Sequence, residues 1–360
     1  MRNGLSTGPP TKCEGGGMKS PGRSIERPAG RASVKDVAAR AGVSPMTVSR
    51  AINTPDAVSP ELRERVQKAV QALSYIPNRA AAGLQSNRNR IVGFLMPDLS
   101  VPHYHQMHVG LTKALEPLGY SVLVMETRYS PERERILAQV MLGWNPSGVV
   151  RVATGANDDL RDFFRKSRVP CCEFVDFKDA GCELGVGYSH EEAGFSVGEH
   201  MFRSGRKRLA VVMPRAVPRL DMQYQGVRRA ARKFPGCHVQ RILLKVPSPL
   251  SMSHGEEVIR ELIENGLPTD ALVFLNDTPA IGALFECRRR QIDVPERLAI
   301  VGFGDHEISS HIVPSLTTVR LDGVQLGRAC ADLLLRKVDD AGLKRTIVKI
   351  ECAFIPRESA

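Results

Sequence analysis

The stretch SVKDVAARAGVSPMTVSRAIN, residues 33–53, decides the first part of the fold. Ser33 stands where a helix N-cap accepts a backbone hydrogen bond, and Asp36, three residues on, favours the positive end of the helix dipole. Val34, Val37, Ala38 and Ala41 share one face at helical spacing, and Gly42 ends that helix. Ser44 caps a second helix with Pro45 in its first turn. Val48 then turns inward, leaving Pro45, Met46, Ser49 and Arg50 on the outer side. SPELRERVQKAVQALSY, residues 59–75, predicts a third helix capped by Ser59, with Leu62, Val66, Ala69, Val70 and Leu73 spaced to pack on the first two. Three short helices with a tight glycine turn form a helix-turn-helix unit.

The charge balance points the same way. The chain carries a net charge of +11, but residues 1–90 hold 15 Lys/Arg against 6 Asp/Glu, whereas residues 91–360 hold 35 against 33. A basic quarter on a near-neutral body suits a module for a polyanion joined to something else. With 42% hydrophobic and 25% charged residues in 360, the chain has the composition of a globular protein long enough for two or three cores. No run of about 18 apolar residues offers a membrane span. Residues 1–32, rich in Gly, Pro, Ser and Arg, are too polar to bury and read as a disordered tail without a signal peptide. The eight cysteines form no C-x-x-C pair, so they read as reduced thiols of a cytoplasmic protein. His103, His105 and His108 do not share a helix face, and neither a metal nor a cofactor is expected.

From Ile91 onward, short apolar runs such as IVGFLMPD (91–98), SGVVRVA (147–153), RLAVVMP (208–214) and ALVFLND (271–277) alternate with amphipathic segments. That is the pattern of parallel sheets covered by helices on both faces, which bind ligands beyond the carboxyl ends of their strands. Residues just after the apolar runs are therefore the pocket candidates. No G-x-G-x-x-G follows the first strand, and no Ser-His-Asp or metal-ligand arrangement is visible, which argues against an enzyme.

The chain resembles the lactose/galactose repressor family of bacterial transcription regulators from about Val34 to Pro356. DVAARAGVSPMTVSRAIN (36–53), VSPELRERVQKAVQALSYIPNRAA (58–81), IVGFLMPDLS (91–100), YSHEEAG (188–194), LNDTPAIGAL (275–284) and VPSLTTVR (313–320) recur there in this order. MTVSR, WNPSG, FECRRR and VGFGDHEI look most like the gluconate-repressor branch. The resemblance implies an α/β protein: an N-terminal three-helix helix-turn-helix plus a two-subdomain, periplasmic-binding-protein-like core of parallel sheets. It divides the chain into a tail (1–32), a DNA-binding domain (33–77), a hinge helix and linker (78–90) and an effector-binding and dimerisation core (91–360). The chain would cross between core halves near Ser189–Glu191, Val319–Asp322 and residues 345–350.

The same resemblance makes Pro45–Arg50 the start of a recognition helix in the major groove. Arg50 suits a bidentate contact to guanine, and Met46 a thymine methyl. Ser44, Thr47, Ser49 and Asn53 have the reach for phosphate oxygens, while Pro45 contributes shape. Asn78, Arg79 and Leu84 match the hinge, with Leu84 as a minor-groove wedge. Paired modules imply a homodimer on a palindromic double-stranded operator.

For the effector, neutral-sugar members carry Arg where this chain has Gln223, and Asp where it has Gly304, with Asp305 one residue later. Arg128 and Arg151 lie at or near strand ends, and Arg219 on a loop; an Arg fork suits a carboxylate. Arg151 stands out because it interrupts an apolar run. With Asp98, Asp176, Asn276 and Asp277 at other strand ends, the expected ligand is a sugar acid such as gluconate. The rivals are a sugar receptor without DNA function and a regulator answering to a neutral or phosphorylated sugar.

Overall fold

The computed structural model describes residues 32–76, 89–152, 158–177, 181–215, 218–244, 250–266 and 268–360. The chain divides into two compact units, residues 1–78 and 79–360. In the first, helices α1 (Val34–Ala41), α2 (Pro45–Asn53) and α3 (Pro60–Ala72) enclose a small core of Val37, Ala38, Ala41, Val48, Ala51, Val66 and Ala69. Ser33 and Asp36 form a reciprocal capping box, with Asp36 N–H donating to Ser33 Oγ and Ser33 N–H to Asp36 Oδ2. Gly42 turns the chain at φ 63°, and Arg65 of α3 donates from Nη2 to the Ala41 carbonyl at 2.6 Å, tying the end of α1 to the third helix.

The second unit is α/β with parallel sheets, in two halves. Half one is a six-stranded sheet of β1 (Asn89–Met96), β2 (Ser121–Glu126), β3 (Pro146–Val152), β4 (Cys171–Asp176), β5 (Leu184–Tyr188) and β11 (Thr346–Lys349), in the order β11-β5-β4-β3-β1-β2. Every neighbouring pair in it is parallel. Half two is a parallel sheet of β6 (Arg208–Pro214), β7 (His238–Leu244), β8 (Ala271–Phe274) and β9 (Ala299–Val301), ordered β7-β6-β8-β9. The sequence reading of buried parallel strands holds: β3 to β6, β8 and β9 are buried along nearly their whole length. β10 (Thr318–Arg320) pairs antiparallel with β12 (Ala353–Ile355). The chain thus passes between halves after Tyr188, after Arg320 and after Lys349. Among the described residues no helix is long and apolar enough to cross a membrane.

Three helix pairs cover the sheets, each crossing where two glycines face each other's backbones. α4 (Pro102–Leu115) meets α11 (Gly323–Asp339) at Gly110 and Gly327. α7 (His190–Arg203) meets α8 (Pro218–Ala231) at Gly194 and Gly226, and α9 (Met252–Glu264) meets α10 (Asp277–Arg289) at Gly255 and Gly282. A methyl at any of these positions would collide with a main-chain atom of the facing helix. The second crossing bears on the site, because Gly194 lies against the Gln223 carbonyl.

Candidate functional site

In the first unit α2 turns one side to solvent. Ser44 caps it, accepting the Thr47 N–H at 3.1 Å, and the Ser44 and Thr47 hydroxyls bond each other at 2.8 Å. With Val48 fully buried and Ala51 inward, the opposite side is fixed. Pro45, Met46 and Arg50 are exposed, while Thr47 and Ser49 are half-buried. Met46 is 71% exposed, a large apolar side chain that no packing in this unit accounts for. A helix of this form, with a forked cation and an apolar tip beside short hydroxyls, carries the chemistry that reads base edges and positions on phosphates. Nothing is described of the Asn53 side chain, and Asn78, Arg79 and Leu84 lie outside the described residues.

In the second unit a cavity of about 60 Å³ opens at the carboxyl ends of both sheets. Half one contributes Val101, His103, Tyr104, Tyr129 and Phe174; half two contributes Pro214, Leu220, Gln223, Leu250, Leu275, Asn276 and Phe303. Tyr188 and Leu321, beside two of the crossings, complete the wall. Gln223 is buried, and its Nε2 donates to the Tyr188 hydroxyl at 3.5 Å, while its Oε1 accepts no hydrogen bond among the described residues. Asn276 caps α10, its Oδ1 accepting the Thr278 N–H at 2.8 Å, which leaves the amide NH2 as its donor toward a ligand. Phe174, Tyr188 and Phe303 follow one another with neighbouring ring centroids 6.0 Å apart and the ring planes tilted by 40° and 31°.

Several pocket candidates stand elsewhere. Arg151 is fully buried in β3 on the face of Val149, which α5 (Pro131–Gly143) and α6 (Asp158–Ser167) cover. Its Nε lies 3.1 Å from Glu134 Oε1 and its Nη1 3.9 Å from Glu173 Oε1, although no guanidinium N–H is aimed squarely at an oxygen. Glu173 also takes two nitrogens of Arg161 at 3.0–3.2 Å. Arg151 therefore balances buried carboxylates within half one and does not face the cleft. Its residue number placed it near a strand end, but the alternation of side chains turned it to the helix side.

Asp277 is likewise removed from any ligand. It is fully buried, accepting the His306 N–H at 2.8 Å and the Ser309 and Thr318 hydroxyls at 2.8 and 2.6 Å. Asp305 is held by Arg320 at 2.6 Å and Arg357 at 2.5 Å. Burial alone would raise its carboxyl, but hydrogen bonds from Arg320 and Arg357 bring it below the ordinary aspartate value. Asp98 orders the loop before α4 by accepting from Ser100 N–H and Oγ, and Asp176 accepts from the main chain and ring of His190. Arg128 is 70% exposed and, among the described residues, pairs only with Glu126. None of these six residues is part of the cavity wall, and nothing is described of the Arg219 side chain. The aromatic wall went unread in the sequence, although Phe174 and Tyr188 sit at strand carboxyl ends.

A three-helix DNA-reading unit followed by a two-half ligand cleft is the plan of a ligand-controlled DNA-binding regulator. Residues 33–78 match the family described as bacterial regulatory proteins, lacI family, and residues 199–360 match the periplasmic binding protein-like domain. The chain is 32% identical over 334 residues to the HTH-type transcriptional regulator GntR of Pseudomonas aeruginosa, spanning 92% of this chain and 97% of that protein. It is 26% identical over 332 residues to the ribose operon repressor of Lactococcus lactis, covering 91% and 97% of the two chains. A lacI-family regulator of Silicibacter pomeroyi superposes with a TM-score of 0.83 at 26% identity, over 91% of this chain and 99% of that one. The chain belongs to the lacI family of bacterial regulatory proteins, and it is a sequence-specific DNA-binding transcription regulator.

Proposed function

We propose that this regulator is a cytoplasmic repressor that binds a palindromic operator as a homodimer and answers to a sugar acid. Repression is favoured by the family plan and by the relative named as an operon repressor. A dimer follows from the helix-turn-helix, since one recognition helix reads only a few base pairs and symmetric half-sites need two. On the sequence resemblance, Asn78, Arg79 and Leu84 supply the hinge contacts.

One observation carries the acid reading. The polar groups on the described cavity wall are amides, phenols and one imidazole, and no carboxylate is among them. Asn276 brings an amide donor, and Gln223 an amide oxygen that accepts no hydrogen bond among the described residues, to a site whose neighbouring aspartates are engaged elsewhere. Such a wall accepts an anion without like-charge repulsion, and amides discriminate hydroxyls from both sides. The cavity holds only a few waters as it stands, so a six-carbon acid enters by parting the two halves. Calorimetry with gluconate and with glucitol, which differ only at the carboxylate carbon, tests the reading. Binding of gluconate in clear preference to glucitol supports it; equal binding, or binding of glucitol alone, makes the effector a neutral sugar.

A further inference from the structure

Most of the positive charge in the first ninety residues is carried outside the three helices. Residues 33–76 hold 6 Lys/Arg against 4 Asp/Glu, whereas residues 1–32 hold 6 against 2. Four of the latter cations, Lys19, Arg23, Arg27 and Arg31, recur at every fourth residue. Glu26 is the one carboxylate in that stretch and Ile25 the one large apolar side chain. So little apolar surface cannot hold four charges in a core, and the charge suits a polyanion. The stretch lies ahead of the DNA-reading unit that the family shares, whose match begins at residue 33. The place where it joins that unit is set by the start of α1. Ser33 N–H donates to Asp36 Oδ2 at 2.7 Å, within a reciprocal capping box. The eight residues of α1 are about 12 Å long, and only Gly42, Val43 and Ser44 separate them from α2. Residues 19–31 can span at most about 45 Å, more than the distance from Ser33 to a duplex held on the outer face of α2 requires.

We propose that residues 19–31 act as a basic arm that binds DNA phosphates beside the bases that α2 reads. Each cation set on a phosphate releases a condensed counterion, which adds affinity that depends on salt and is blind to sequence. Arginine forks and the lysine ammonium both match phosphate oxygens. The division of labour follows: α2 supplies base contacts, and the arm supplies backbone contacts that hold the protein in place.

The full-length chain is compared with two full-length variants. One combines Lys19→Gln, Arg23→Gln, Arg27→Gln and Arg31→Gln; the other combines Arg23→Lys, Arg27→Lys and Arg31→Lys. Each is titrated by fluorescence anisotropy against an operator selected from random DNA with the parent and against an unrelated duplex, between about 50 and 200 mM salt. Thermal midpoints are measured without DNA. The glutamine variant is expected to bind both duplexes at least tenfold more weakly, with the slope of log affinity against log salt shallower by about two or more and the midpoint unchanged. The lysine variant should stay within threefold of the parent, because phosphates ask for charge and not for a fork. A glutamine variant within twofold of the parent, with an unaltered slope, overturns the arm. A loss confined to the operator, or repeated in the lysine variant, overturns it as well, since the arginines would then be reading bases. A midpoint lowered by several degrees in the glutamine variant makes the stretch part of the fold and overturns the proposal too.

Discussion

Arg50 and Arg151 are the same side chain in opposite circumstances. Arg50 is exposed on the outer face of α2, and its planar fork of donors suits the guanine contact proposed for it. Arg50→Ala should cost about 1–3 kcal/mol at one symmetric operator position and relax specificity there. Competition binding across operator variants checks this, and a uniform loss over all of them would place Arg50 on the phosphates. Arg151 has no exposure and sits between Glu134 and Glu173. Arg151→Met leaves buried carboxylates uncompensated and should cost about 3–5 kcal/mol, much of which returns when Glu134 is replaced by leucine in the same chain. Urea midpoints of the single and double variants measure it; a single-variant loss below about 1 kcal/mol would contradict the pairing. His306 adds a pH dependence. Burial holds its imidazole below the ordinary histidine value against the pull of Asp277 and Asp305. The unfolded chain therefore takes up a proton that the folded chain refuses, so stability is full above about pH 6.5 and falls as the pH drops below it. His306→Gln should shrink the fall between pH 7.5 and 5.5; an identical fall in parent and variant would show that His306 titrates normally.

At the scale of elements, the crossing of α7 and α8 sets where Gln223 stands. Gly194 faces the Gln223 carbonyl and Gly226 faces the Glu191 carbonyl, so the helices approach to main-chain contact. Gly194→Ala forces them apart, with a stability cost of about 1–3 kcal/mol and weaker effector binding. Thermal melts with and without ligand test this, and an unaltered ligand-induced shift would show that Gln223 does not depend on the crossing. The helix-turn-helix was legible from sequence because its determinants are local: Ser33, Ser44 and Ser59 cap, Gly42 turns, and apolar residues recur every three or four. Parallel strands were legible as apolar runs for the same reason. Which face a strand residue takes depends on helices far away in sequence, and that is why Arg151 was misplaced. Arg128 and Tyr129, after β2, take a left-handed backbone with no glycine to announce it, so the place of Tyr129 on the cavity wall is not legible in the sequence.

In the whole molecule, the proposed function requires ligand and DNA to be coupled through the two halves of the second unit. An effector shifts this equilibrium only by as much as it prefers one arrangement over the other. A hundredfold release from the operator corresponds to a coupling free energy of about 2.7 kcal/mol, and operator must then weaken effector binding by the same factor. The charge asymmetry and the motif order gave the regulator; the aromatic-walled cavity could be seen only once both halves were in place. The most direct test of a sugar-acid switch is an anisotropy titration of a palindromic operator, selected from random DNA, with this protein in the presence of gluconate or of glucitol. Saturating gluconate is expected to weaken operator binding many-fold while glucitol leaves it unchanged. Operator affinity that is indifferent to gluconate would contradict it.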